Sequence, residues 1–253
     1  MIREIHAWST RTGRHFFRAL IALWVFAAPG YSQVEVEAVP GADMRAIEES
    51  YQKGDYAKVV RDLTPLAERG DMEAQYQLAL MYANGRGVPR DQTQAAKWFV
   101  KATAVLDPGA QFNLGIMYFE GQGVPRDYEQ AAHWFKRAGE RGDSEALFNL
   151  GLMYDDGKGV RRDVTEAVLW YKRAAELGLK HAQLMLAGMY RDGAGVSKDE
   201  TLAYLWYAMA AEQEDKDAAV ERDRLAKRLT PAQYQKAIQM LHELQVQGHA
   251  RGG

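Results

Sequence analysis

A ten-residue phrase occurs four times in this chain and limits its possible folds more than any other feature. Tyr82 to Asp91 reads YANGRGVPRD and Tyr118 to Asp127 reads YFEGQGVPRD. Tyr154 to Asp163 reads YDDGKGVRRD and Tyr190 to Asp199 reads YRDGAGVSKD. The tyrosines therefore recur every 36 residues without slippage. Leu78, Leu114, Leu150 and Leu186 precede the phrase in the same register, and Trp98, Trp134, Trp170 and Trp206 follow it. A fixed period of this length marks a stacked array of one supersecondary unit, each copy contacting chiefly its neighbours.

The unit reads as helix, turn, helix. Ala110, Leu114, Met117 and Tyr118 are spaced i, i+4, i+7 and i+8, which draws one apolar helix face. Gly121 stands where a helix C-terminus takes a left-handed residue, and Gly123 gives the turn a second permissive position. Val124, the lone apolar residue of the loop, is expected between the two helices. Asp127 is placed to cap the next helix through its carboxylate. Gln130 completes a capping-box pattern, as Gln94 and Glu166 do in other copies; Leu202 does not. Ala131, Trp134, Phe135 and Ala138 then form the second apolar face, small residues opposite large ones. Such an αα-hairpin cannot bury its own apolar face and must stack.

These residues resemble the Sel-one-like repeat family, α-solenoid relatives of the tetratricopeptide repeats. The pattern is A-x3-L-[GA]-x2-Y-x2-G-x-G-V-x2-D-x3-A-x2-W, met by Ala110, Leu114, Gly115, Tyr118, Gly121, Gly123, Val124, Asp127, Ala131 and Trp134. It holds over 74–109, 110–145, 146–181 and 182–217. The resemblance implies an all-α, right-handed α-solenoid of αα-hairpin repeats. It also implies a protein–protein interaction task without naming the partner. Some members are cysteine-rich hydrolases; this chain has no cysteine, so that part does not carry over.

Residues 1–32 are written differently. Arg3, Arg11, Arg14 and Arg18 lead into the apolar run Ala19 to Ala28, and Gly30 and Ser32 make a small-x-small site. This pattern predicts a secretory signal cut after Ser32, with an uncleaved anchor as the alternative, disfavoured because the apolar run is about half of what spans a bilayer. Cleavage would remove four arginines and one glutamate, taking the formal charge from −2 to −5. The expected location is the periplasm or the exterior, with no stable membrane insertion after cleavage. With no disulfide available, stability must come from helix packing.

Residues 33–42 read as an extended linker, and 43–73 as a capping half-unit. There Asp43 and Asp55 begin helices of 44–53 and 56–69. ERGDMEA at 68–74 returns as ERGDSEA at 140–146, which sets this half-unit in the same frame. Two junctions depart from the pattern. Leu106 replaces the glycine found at Gly70, Gly142 and Gly178, and the following Asp107-Pro108-Gly109 predicts a different turn. Glu214 takes the same place at the end of the array. Residues 218–245 read as C-terminal capping helices, the last opened by Thr230, Pro231 and Gln233. Residues 246–253 are expected as a disordered tail.

No catalytic, cofactor or metal constellation stands out. The Gly-x-Gly pairs lack a third glycine and a preceding strand, and they recur in equivalent places, so they read as turns rather than phosphate loops. His133, His181, His242 and His249 have no second ligand at helical spacing. The near-neutral charge gives no basic footprint for nucleic acid. What remains is a stripe on each first helix, two before the Leu, two after it and five after it. It comprises Tyr76, Leu80 and Ala83; Phe112, Ile116 and Phe119; Phe148, Leu152 and Asp155; Leu184, Gly188 and Arg191. By analogy with tetratricopeptide repeats it faces a concave groove, with Glu120, Asp156 and Asp192 at the rim. Aromatic anchors with a charged rim suit a peptide or protein partner, in envelope signalling or assembly. The alternatives are a secreted factor acting on host or competitor proteins and, behind it, a hydrolase. A basic loop edge (Arg86, Arg90, Arg126, Lys158, Arg161, Arg162) is the second candidate surface.

Overall fold

In the computed structural model, which describes residues 44–103 and 107–252 with side chains to 246, every regular element is a helix. The expectations for the signal segment, the linker, Asp43 and Leu106 lie outside the described residues, which all belong to the unit Val39–Gly253. Helices α1 (Met44–Gln52) and α2 (Tyr56–Glu68) form the N-terminal half-unit. Four hairpins follow: α3 (Met72–Asn84) with α4 (Gln92–Thr103), and α5 (Pro108–Glu120) with α6 (Tyr128–Glu140). The other two are α7 (Ser144–Asp156) with α8 (Val164–Glu176), and α9 (Lys180–Asp192) with α10 (Glu200–Glu212). Helices α11 (Lys216–Ala226) and α12 (Pro231–Gly252) end the array. From α1 to α11 each helix packs on the next, and α12 packs back on α10. This is an α-solenoid.

The repeated phrase closes on itself through its backbone. Gly85, Gly121, Gly157 and Gly193 take φ of +67, +74, +71 and +77, ending the first helix of each hairpin. The N–H groups of Gly121 and Gln122 both donate to the Met117 carbonyl, at 2.8 and 2.9 Å. The Asp127 N–H then donates to Tyr118 O at 2.9 Å, joining the two ends of the phrase; Asp91, Asp163 and Asp199 do the same to Tyr82, Tyr154 and Tyr190. Asp127 Oδ1 accepts from the Gln130 N–H at 3.0 Å, so the cap is made. The expected reciprocal half of the capping box is not, because the aspartate N–H is already satisfied by the tyrosine carbonyl. That is why Leu202 serves as well as Gln130. At Thr230 the full box does form: Thr230 N–H donates to Gln233 Oε1 at 2.9 Å, and Gln233 N–H to Thr230 Oγ1 at 3.3 Å.

The second glycine does something the sequence reading did not assign. Gly123 has φ +70, and a Cβ there would lie 2.1 Å from the Gln92 carbonyl oxygen, at the start of the previous unit's second helix. Gly87 meets Tyr56, Gly159 meets Tyr128 and Gly195 meets Val164 in the same way. Each loop rests its glycine backbone on the preceding unit.

The core is built from small residues facing rings. Ala110, Leu114 and Met117 of α5 meet Ala131, Phe135 and Ala138 of α6, all buried. Gly115 leaves room for the Phe135 ring and Gly151 for the Tyr171 ring, where a Cβ would come within 2.7 and 2.6 Å. The repeated tryptophans, expected to fill the space between helices, do so unevenly. Trp98 and Trp134 are half-buried, whereas Trp170 and Trp206 are buried. Phe135, one residue on, points inward, and Trp134 lies at the edge under Arg137, 5.6 Å from the ring centroid.

The junctions and the C-terminus add detail. Asp107 caps α5 through the Ala110 N–H, with Pro108 in the first turn, doing the work of Asp143 before α7, while the turn expected just before it falls at 104–106, outside the described residues. Glu214 follows the last helix of the fourth hairpin. It adopts φ +62 where Gly142 and Gly178 take positive φ, and α11 follows in the place of another first helix. Ala218 and Leu225 keep the buried positions of Ala182 and Met189. Finally, α12 continues through the residues expected as a disordered tail, since 246–252 contain no proline and their isolated glycines cost a helix only about 1 kcal/mol each.

Candidate functional site

The face left over after stacking lies on α3, α5, α7 and α9. Its first position carries an aromatic in three units, and each leans on the inward ring of its own hairpin. Tyr76 lies 5.9 Å from Phe99, Phe112 5.8 Å from Phe135 and Phe148 5.4 Å from Tyr171. Tyr76, Phe112, Ile116 and Leu152 remain half-buried, offering surface. Phe148 does not: at 3% exposure, with Tyr171 on one side and His181 6.4 Å away, it is a core side chain. Its expected role as a groove anchor is corrected on that ground.

At the rim, Phe119 is half-buried, edge-on to Tyr128 at 5.1 Å, with the Lys158 ammonium of the next unit 5.9 Å from its ring. Glu120 accepts a hydrogen bond from Gln122. Asp156 pairs with Lys158 at 2.7 Å, and Arg162 donates to the Asp155 carbonyl at 2.7 Å. The loop-edge arginine and the stripe thus meet at one place instead of forming separate surfaces. Burial pushes the Asp143 and Glu145 carboxyls up, and Asp107 adds to the effect on Asp143. Tyr76 is pushed up to about 12, by burial first and then by Asp107 and Glu73. Acidic groups of consecutive units therefore act on one partly dehydrated surface.

Between the third and fourth units this face opens into a cleft of about 590 Å³. Leu184, Met185, Gly188 and Met189 of α9 line it, with Tyr207 of α10 and Val164 of α8. Asp155, Arg162, Arg191 and Asp192 stand around it. Arg191 donates to both Asp192 oxygens, at 2.8 and 2.7 Å, and to the Tyr207 hydroxyl at 3.1 Å. The Asp192 bond holds the Arg191 guanidinium above its ordinary range and the Asp192 carboxyl below its own. The structure thus brings Asp155, Arg191 and Asp192 together, and leaves Tyr76, Phe112, Ile116, Phe119 and Glu120 on the earlier units. Met185 and Met189 were not singled out from sequence. The available signal was Met185 standing where the other units have Gln77, Asn113 and Asn149, beside Gly188 where they have Leu80, Ile116 and Leu152.

Among the described residues no three His, Cys, Asp or Glu side chains converge on a metal-sized space, and no helix is long and apolar enough to cross a membrane.

Comparison with known proteins points one way. The family model described as Sel1 repeat matches residues 73–104, 108–143, 144–179 and 180–215. A Sel1 repeat protein from Oxalobacter formigenes is 33% identical over 79% of this chain and 86% of its own, with a TM-score of 0.66. A protective antigen present in uropathogenic Escherichia coli strains, displaying an SLR fold, is 31% identical with a TM-score of 0.69. The match covers 78% of this chain but 44% of that antigen. No curated protein matches the chain.

Proposed function

The chain belongs to the Sel1 repeat family, and from that premise we propose that it is an exported adaptor that binds a protein or peptide along the first-helix face. Sel1 repeats generally serve as non-catalytic protein–protein interaction scaffolds. The observation that carries the finer reading is the row Tyr76, Phe112, Ile116, Phe119 and Leu152. These apolar side chains are half-buried on one face, although stacking has already buried the Ala, Leu and Met positions beside them. Apolar side chains that the scaffold does not consume mark an interaction surface. Export is supported by the arginine-led apolar segment and its small-x-small site. An exported adaptor of this kind would work in envelope signalling or assembly.

Phe119 tests the surface, because Ala83, Asp155 and Arg191 hold its place in other units and the scaffold does not require an aromatic there. Once a partner has been captured from the envelope fraction, Phe119→Ala should weaken binding by about 2 kcal/mol with the thermal midpoint nearly unchanged. Unchanged affinity together with an unchanged midpoint would remove Phe119 from the site. N-terminal sequencing of protein from fractionated cells tests export: the reading requires a start near Gln33 and fails on an intact Met1 in the cytosol.

A further inference from the structure

The cleft between the third and fourth units opens where a side chain is missing. Leu80, Ile116 and Leu152 occupy one register of the first helices, and the fourth unit has Gly188 there. A Cβ built on Gly188 meets nothing within 4 Å, unlike the helical glycines Gly115 and Gly151, whose space is taken by rings. Gly188 is thus not required by close packing inside the scaffold. Its absent side chain leaves a floor of Leu184, Met185 and Met189 open to the surface. What replaces the aliphatic group of the other units must come from outside.

The charge of the adjoining face states what else the occupant carries. Residues 71–84, 107–120 and 143–156, the first helices of three units with their caps, hold eight acidic side chains and no lysine or arginine. Asp71, Asp107 and Asp143 are committed to helix N-termini, where each accepts a backbone N–H. Glu73, Glu120 and Glu145 stand on the same helices, and Asp155 and Asp156 lie beside Arg162 and Lys158. The basic residues of the same units stand in loops and second helices, as Arg86, Lys97, Lys101, Arg126 and Lys136 do. At the cleft itself the cations are already matched: Arg191 by Asp192 with Glu221 at 4.0 Å, and Arg162 by the Asp155 carbonyl and, at 4.0 Å, its carboxylate. The mouth is close to neutral and the face leading away from it is acidic.

We propose that the partner is a cationic peptide segment that seats an aliphatic side chain in the Gly188 cleft and lays its basic residues along the acidic first helices. This rests on the interaction-face reading and names the chemistry of the partner. Gly188 supplies the space, the methionines supply an adaptable apolar floor, and the acidic first helices supply attraction that weakens as salt rises.

The test is selection of a phage-displayed random dodecapeptide library on the full chain, followed by titration of synthetic copies of the enriched peptides. The expected sequences carry net positive charge and a Leu, Ile or Met. Their affinity should fall about tenfold or more on Gly188→Leu, which puts into the cleft the side chain that Leu80 and Leu152 carry in sister units, and severalfold between about 50 and 500 mM salt. Gly188→Ala, which leaves most of the cleft open, should bind nearly as wild type. Thermal midpoints of both variants at or above wild type show that neither has failed to fold. Enriched peptides that are acidic or uncharged, or that bind Gly188→Leu as tightly as wild type, overturn the proposal. If those peptides still lose affinity on Phe119→Ala, the face reading survives and only the cleft is wrong. If they respond to neither substitution, or nothing is enriched, both readings fall.

Discussion

Replacing Gly123 by alanine separates the two glycines of the phrase, which look alike in sequence and do different work. Gly121 and Gly123 both hold positive φ, +74 and +70, so an alanine at either costs about 1–2 kcal/mol of backbone strain. At Gly121 the new methyl would sit 3.1 Å from Arg126 Cβ and 3.3 Å from the Arg126 nitrogen, contacts that a shift of a few tenths of an ångström within the same loop relieves. At Gly123 it would sit 2.1 Å from the Gln92 carbonyl oxygen and 2.8 Å from the Thr93 nitrogen. Backbone at that distance cannot turn aside, so the second unit must lift from the first. Overpacking of this kind adds about 1–3 kcal/mol, making Gly123→Ala a loss of about 2–5 kcal/mol against about 1–2 for Gly121→Ala. Stability in a stacked array is a sum of unit terms and interface terms, so the Gly123 variant should also unfold less cooperatively, with a lower denaturant slope. Urea melts followed by far-ultraviolet circular dichroism measure both quantities. Equal losses for the two variants, with equal slopes, would refute the claim that the second glycine is an interface contact.

Other expectations concern single side chains. Glu214→Gly relieves a non-glycine residue at φ +62 and should raise stability by about 1 kcal/mol, read from the shift in urea midpoint. Phe135→Ala, which empties a fully buried site, should cost about 3–5 kcal/mol in the same melts; Trp134→Ala, at a half-buried edge, should cost less. Because burial raises the folded value of Glu145, the folded state holds its proton more tightly than the unfolded chain does. Stability from this group is greatest below the ordinary carboxylate range and declines as pH rises through the raised folded value. Glu145→Gln should therefore be more stable than wild type at neutral pH, with the difference shrinking in acid, as thermal midpoints across pH will show.

Much of the fold was legible because a local signal was repeated four times. A helix stop at Gly121, a cap at Asp127 and the apolar spacing of Ala110, Leu114 and Met117 each follow from dihedral preference and helical period. At Asp107-Pro108 the role of the aspartate as a cap was not legible, for a local reason. A residue before proline avoids helix both where a helix ends and where an N-cap begins one, and only the neighbouring chain distinguishes the two. The candidate face was legible in outline, as positions left over from the core, but not in its exposure. Phe112 and Phe148 occupy the same register, yet only Phe112 keeps open surface, because His181 of the following unit lies near Phe148.

The sequence by itself determined the unit, its period, its turns and the number of copies, since these depend on residues within one hairpin. Tertiary structure alone decided which tryptophans are covered, why the second glycine cannot carry a side chain, and where the face opens into a cleft. The physical reason is that each of these depends on segments brought together from separate helices, as Gly123 and Gln92 are across 31 positions of the chain. A carbonyl of one unit meets a glycine of the next, and an absent side chain on α9 leaves a space bounded by α8 and α10. Neither segment, read alone, says what it meets.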